Sequence, residues 1–283
     1  MTLYSDMVNK FPENSIGYNN RGTIYLKENK YSEAECDFLN AIRHNSKYAA
    51  PYNNLGLLFN RRTKYDTAII YFTKAVELNN NYAEAYFNMG LTYFNKNEID
   101  KAIEYYDECI FSLQSIGDLD FEATVLTNRG LSYQLNGDLR AALNNYLESL
   151  SIYKSNNTTI HYALYNNLGI VYLETGSYQE SLLYFTKALK ETQAAKNVID
   201  ESFTLANIGR TYIYMNDFGN AITYLSEAMI IMKKYGNRQA ETQVFANLGK
   251  AYMKMRCFPE AIKYYNRALK YYREISDRSS VAH

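Results

Sequence analysis

Seven glycines in this chain, Gly22, Gly56, Gly90, Gly130, Gly169, Gly209 and Gly249, stand 34, 34, 40, 39, 40 and 40 residues apart. Each follows an asparagine by two residues and precedes an aromatic residue by three, so the frame Asn-x-Gly-x-x-aromatic recurs seven times. So regular a period means one structural unit stacked on itself rather than a single compact globule. The asparagines are Asn20, Asn54, Asn88, Asn128, Asn167, Asn207 and Asn247.

Offsets from each glycine predict what the unit is. Three residues after it stand Tyr25, Phe59, Tyr93, Tyr133, Tyr172, Tyr212 and Tyr252; four before it stand Tyr18, Tyr52, Tyr86, Leu126, Tyr165, Leu205 and Phe245. On a helix these positions share a face with the glycine, which lets another helix come close there. A small residue follows twelve after the glycine (Ala34, Ala68, Ala102, Ala142, Ser181, Ala221, Ala261). A large one follows sixteen after (Phe38, Phe72, Tyr106, Tyr146, Phe185, Leu225, Tyr265), and a small one again nineteen after (Ala41, Ala75, Cys109, Ser149, Ala188, Ala228, Ala268). These positions describe a second helix whose small residues admit the first. Between the two, Asn29, Thr63, Asn97, Gly137, Gly176, Asn216 and Arg256 occupy the place where a left-handed residue ends a helix. Each unit reads as an antiparallel helix pair, and the chain as all-α.

This pattern resembles the tetratricopeptide repeat (TPR) family across almost the whole chain. The resemblance implies a right-handed solenoid of seven helix-turn-helix repeats. An N-terminal half-repeat precedes them, in which Tyr4, Met7 and Pro12 match the end of an earlier unit. The expected organisation is a half-repeat or cap helix at 1–14, three 34-residue units at 15–114, four 39- or 40-residue units at 115–275, and a tail at 276–283. The chain then begins inside a repeat, by truncation or with that helix as a cap. The longer units carry five or six extra residues near 115–122, 155–162, 195–202 and 236–242. Shared between neighbouring helices, these add about one and a half turns. Such units resemble those of kinesin light chains, of polarity scaffolds that bind G-protein regulators, and of bacterial peptide-sensing regulators.

The recurring asparagine lies opposite the core face of the first helix, together with the residues one and five after the glycine. In TPR solenoids that face lines the concave surface. An amide offers an acceptor and two donors, so a row of amides suits the backbone of an extended peptide. Beside the row stand Leu57, Leu91, Leu131 and Ile170 in the middle, and Lys27, Arg61, Arg210, Lys250 and Lys254 toward the ends. The ligand expected is a protein or peptide partner with an apolar centre and acidic flanks. Asparagine is also frequent at this slot in the family, so ancestry alone is the competing explanation. The carboxylate clamp of chaperone-binding TPR proteins needs lysine three before the glycine and asparagine one after. The slots three before hold Asn19, Asn53, Phe87, Thr127, Asn166, Ala206 and Ala246, so the clamp is absent.

Other function classes find little support. Lys+Arg and Asp+Glu both number 30, a balance that argues against a nucleic-acid protein held by phosphate contacts. Cys36, Cys109 and Cys257 form neither a disulfide framework nor a zinc pattern, and suit a reducing, cytoplasmic setting. There is no signal-like start and no apolar run of membrane-spanning length. His44, His161 and His283 stand alone, acid pairs such as Asp107 and Glu108 read as solvated faces, and no residue set points to an enzyme, a cofactor or a metal. Tyr71, Tyr105, Tyr184, Tyr224 and Tyr264 form a second stripe, read as packing between repeats. The leading function is a scaffold that binds a peptide or partner helix in its groove. The alternatives are a peptide-sensing regulatory receptor, which would normally carry a further N-terminal domain, and a self-assembly module. The stretch after Tyr272 reads as too short and irregular for a capping helix, and uncapped solenoid ends tend to pair.

Overall fold

The computed structural model describes the backbone of residues 2–281 and the side chains of residues 4–274. Among the described residues there are fifteen α-helices and no strand. They divide into two compact units, Met1–Thr158 and Thr159–His283. The first holds α1 (Thr2–Lys10) and four antiparallel pairs: α2/α3 (Ser15–Lys27, Tyr31–His44), α4/α5 (Ala49–Arg61, Tyr65–Leu78), α6/α7 (Ala83–Asn95, Ile99–Ile116) and α8/α9 (Leu119–Leu135, Leu139–Ser155). The second holds three: α10/α11 (Tyr162–Glu174, Tyr178–Ala194), α12/α13 (Val198–Tyr214, Phe218–Tyr235) and α14/α15 (Arg238–Lys254, Phe258–Val281). Helix α1 packs on α2, with Met7 and Val8 lying where a Cβ on Gly17 would meet them.

The pairs close as their turn residues require. All seven residues at the turn position are left-handed, from Asn29 at φ 59° to Arg256 at φ 59°, with Gly137 and Gly176 at 84° and 82°. In the first pair Lys30 N–H then bonds back to the Tyr25 carbonyl at 2.8 Å and Asn29 N–H to Leu26 at 3.2 Å, which satisfies carbonyls at the helix end. Thr63 adopts the same conformation at φ 57°, unusual for a β-branched residue.

Each framework glycine lies against the large residue sixteen positions on. A Cβ on Gly22, Gly56, Gly90, Gly130, Gly169, Gly209 or Gly249 would meet Phe38, Phe72, Tyr106, Tyr146, Phe185, Leu225 or Tyr265 at 2.8 Å or less. Except for Tyr265 these large side chains are fully buried, as are the small residues flanking them up to α13. Burying one such side chain is worth about 1.5–3 kcal/mol. The second tyrosine stripe stacks within its own repeat, and Tyr71, Tyr105 and Tyr224 also lie against core clusters drawn from neighbouring repeats. Phe59 stacks on Tyr71, Tyr93 on Tyr105, Tyr172 on Tyr184, Tyr212 on Tyr224 and Tyr252 on Tyr264, with centroids 5.1 to 5.6 Å apart. The reason is that positions three and fifteen after the glycine face each other across the antiparallel pair.

Two repeats fill that interface differently. In the first, Arg21 replaces the apolar residue before the glycine, and its guanidinium grips Asp37 at 2.7 and 2.8 Å. In the fourth, Arg129 donates to Asn145 at 2.7 Å and also pairs with Asp107, so Asp107 is not simply a solvated acid. Arginine before the glycine thus coincides with a polar partner in place of the tyrosine.

The extra residues of the longer units lengthen the helices. α3 and α5 have 14 residues, whereas α7 and α13 have 18 and α8, α9, α11, α12 and α14 have 17. At residues 155–162 the lengthening falls on α9 alone, because α10 keeps 13 residues and 156–161 are not helical. Asn157 is left-handed at φ 52°, and Thr158 turns its hydroxyl to Asp120 at 2.9 Å, which holds the chain out of a helix. Beyond Tyr272 the backbone continues as helix to Val281, where the sequence suggested an irregular tail.

Candidate functional site

Offsets of two before, one after and five after each glycine fall on one face of every first helix. In the first unit the asparagines of this face hold its helices to each other. Asn54 Nδ2 donates to Asn19 Oδ1 at 2.9 Å and lies 3.3 Å from Thr23 Oγ1. Asn19 in turn donates to the Tyr48 hydroxyl at 3.4 Å. One repeat on, Asn88 Nδ2 donates to Asn53 Oδ1 at 2.9 Å. There Tyr82 is bonded to Asn53, and its phenol is pushed up to about 12, chiefly by burial. Asn128 turns back to the Thr124 carbonyl of its own helix at 2.9 Å, and Asn20 Oδ1 lies 3.4 Å from Asn19 Nδ2.

The flanking residues of this unit are partly committed as well. Leu57 and Leu91 are half-buried against the cores around Phe72 and Tyr106, and Leu131 is half-buried. Arg61 donates to the Leu26 carbonyl at 3.0 Å and so caps α2, while Lys27 is exposed.

The second unit differs. Asn167, Asn207 and Asn247 are half-buried, and their side-chain amides have no hydrogen-bond partner among the described residues. The sequence accounts for two of them. The acceptor supplied by Asn19 and Asn53 in the first unit becomes Asn166, whose amide instead exchanges with Thr204 Oγ1 at 3.1 Å, and then Ala206, which has no acceptor. Ile170 is half-buried against the Phe185 and Ile208 core. Arg210, Lys250 and Lys254 have no ion-pair partner among the described residues. Lys250 Nζ sits 4.4 Å from the centre of the Tyr214 ring.

Sequence reasoning placed the amides on one helix face but missed the braces three and eight before the glycine. The signal was present: Asn19 and Asn53 each precede a repeat that carries tyrosine eight before its own glycine, Tyr48 and Tyr82. Of the other candidates, His44 stacks on Tyr18, His161 caps α10 through the Ala163 N–H, and His283 lies outside the described residues. Cys109 is fully buried and its thiol, pushed up to about 12 by burial, lies 3.1 Å from the Ala83 carbonyl. Among the described residues no His, Cys, Asp and Glu cluster has a metal-holding arrangement, and no helix is long and apolar enough to cross a membrane.

A tetratricopeptide repeat model matches residues 47–110, 81–155 and 161–234, and a second one residues 242–274. No curated protein is similar enough in sequence to match the chain. Among solved structures it is similar to a signal-transduction ATPase with numerous domains and a tetratricopeptide repeat sensor, from Pyrococcus horikoshii. The TM-score is 0.78 at 16% identity, over 98% of this chain and 45% of that one. The Cut9-Hcn1 hetero-tetramer of the APC/C aligns with a TM-score of 0.66 at 21% identity, over 88% of this chain and 45% of that one. The chain thus spans under half the length of both. YrrB, described as a TPR protein with an unusual peptide-binding site, aligns with a TM-score of 0.54 at 19% identity, over 69% of this chain and 92% of that one. At these identities the likeness is one of fold.

Proposed function

From the premise that the chain belongs to the tetratricopeptide repeat family and is built as a protein-interaction scaffold, we propose that it holds an extended peptide on the amide row of its first helices. The observation that carries this reading is the set of three half-buried, unpaired amides, Asn167, Asn207 and Asn247, on successive first helices of the second unit. A half-buried amide without a protein partner is open to solvent, and a peptide backbone supplies both a donor and an acceptor that can replace its water, for about 0.5–1.5 kcal/mol net per bond. First helices about 8–10 Å apart would place one amide every third residue or so of an extended chain at about 3.3 Å per residue. The peptide-binding site named for YrrB is consistent with this use of the fold. Probing a peptide array with the wild-type chain and with the Asn167, Asn207 and Asn247 triple alanine variant tests it. The variant should lose the captured peptides while its helical circular dichroism is kept, and an unchanged spot pattern would refute the reading.

A second reading is self-association through α15. The side chains of Phe258, Ile262, Leu269 and Tyr272 are exposed, Ile262 by 59%, whereas the matching Ile222 and Met229 of α13 are half-buried and Met232 is buried. Light scattering across a concentration series tests it, and a mass that stays at one chain throughout would exclude it.

A further inference from the structure

The same face of the second unit is graded along its helices. On α12 a single stripe runs from Ile199 and Phe203 through Asn207 to Arg210 and Tyr214. Ile199 and Phe203 are 50% and 37% exposed, whereas Tyr214, 44% exposed, carries Tyr178 and Lys250 against its ring. At the matching offsets α14 carries Gln243, then Asn247, then Lys250 and Lys254. One end of the face is therefore apolar or neutral, the middle is amide, and the other end is cationic.

The cations are what specify a partner. In the first unit several cations are paired: Arg21 has Asp37, Arg62 has Glu35, Lys96 has Asp66. Arg210, Lys250 and Lys254 have no ion-pair partner among the described residues, and Glu174 is the one carboxylate at the matching level of α10. Three cations against one carboxylate on this face make a local positive field in a chain of zero formal net charge. The Tyr214 ring steadies the Lys250 ammonium without neutralising it.

Resting on the peptide reading above, we propose that the second unit takes an extended segment in which apolar and acidic side chains alternate. Its backbone lies across Asn167, Asn207 and Asn247. Phe203 and Arg210 are seven residues apart, roughly 10 Å along the α12 axis. A strand crossing α12 at Asn207 turns successive side chains to opposite edges. Its apolar edge meets Ile199 and Phe203, and its carboxylate edge meets Arg210, Lys250 and Lys254. An amphipathic helix would present the two chemistries at a period of 3.6 instead.

Fluorescence anisotropy of three labelled peptides against the full chain tests this. The first alternates leucine and glutamate over six residues between serines, the second has glutamine for every glutamate, and the third has the composition of the first with leucines and glutamates in separate blocks. The alternating acidic peptide should bind about tenfold tighter than the glutamine peptide, the sum expected of three exposed ion pairs. That advantage should shrink between about 50 mM and about 500 mM salt. The block peptide should bind more weakly than the alternating one. The R210Q/K250Q/K254Q variant should bind acidic and glutamine peptides alike, and if it melts early the wild-type comparisons still decide. Equal affinity of the wild type for acidic and glutamine peptides overturns this inference and leaves the peptide groove standing. Equal binding of the block peptide overturns the strand geometry. Binding of none of the three overturns both the inference and the groove.

Discussion

Replacing Gly56 by alanine sets two effects of opposite sign against each other. A glycine-to-alanine change inside a helix gains about 1 kcal/mol of helix propensity. The new Cβ, however, would lie 2.4 Å from Cε1, 2.5 Å from Cδ1 and 2.8 Å from Cζ of Phe72. Carbon atoms in contact rest about 3.5–4.0 Å apart, so the ring must retreat by about 1 Å. Phe72 is fully buried among Ala68, Phe59 and Met89, with no slot to retreat into. Overpacking of this kind costs about 1–3 kcal/mol, so we expect a net loss of about 1–2 kcal/mol after the propensity gain. Gly219 provides the internal control. It lies in the first turn of α13, and its Cβ would meet nothing nearer than Asp217 Oδ1 at 3.9 Å. There the same substitution should stabilise, by a few tenths to about 1 kcal/mol. Urea unfolding followed by circular dichroism, with both variants in one background, reads the two signs directly. Stacked repeats can unfold in stages, so midpoints are compared rather than extrapolated energies. In a Phe72→Ala background the obstacle is gone and Gly56→Ala should become stabilising, a coupling of about 2–3 kcal/mol. A Gly56→Ala midpoint that rises like that of Gly219→Ala would refute the argument, and so would simple additivity in the double variant.

The remaining expectations concern the polar groups. Asn54→Ala and Asn88→Ala each remove an inter-helix hydrogen bond and should cost about 1 kcal/mol. Asn207→Ala and Asn247→Ala should leave the unfolding midpoint unchanged, and equal costs at all four would show that the amide row has one role throughout. Asp37→Ala strands Arg21 in a mostly buried site and should destabilise by about 3 kcal/mol. The double change Arg21→Leu with Asp37→Tyr, which copies Leu55 and Tyr71 of the next repeat, should recover most of the loss. Tyr106→Phe should be neutral or stabilising, since the buried hydroxyl has no protein partner and phenylalanine fills that slot in three other repeats. Stability should also fall in alkali. Tyr162, through its hydrogen bond to Asp200, and Tyr82 and Cys109, through burial, are pushed up to about 12 from 10.0, 10.0 and 9.0. Each is neutral when protonated and folding favours that form, so the stability they add is complete below about pH 9 and lost as pH rises through about 12. An unfolding midpoint that stays level across that window would contradict the assignment.

What the sequence by itself determined is the part of this protein that repeats. Gly22 to Gly249, the small–large–small positions of each second helix and the left-handed turn residues are local patterns of helix faces, and seven copies of a pattern leave little doubt about the face each residue occupies. Even Thr63 and Arg256, poor residues for a left-handed turn, were placed correctly, because their spacing outweighs their propensity. The candidate binding face was legible in the same way, as a direction on the first helix. Which of its amides are free was not. Asn54 and Asn207 occupy the same slot, yet the first is spent on Asn19, 35 positions earlier in the chain, and the second is not spent at all. The choice depends on whether the neighbouring helix offers an acceptor, and rival hydrogen bonds differ by only about 1 kcal/mol, too little for periodicity to record. The same holds for the Arg21 and Asp37 pair and for residues 156–161, which α10 does not take up and where Thr158 bonds to Asp120. Those outcomes were decided by partners from other helices, which only the tertiary structure brings within reach.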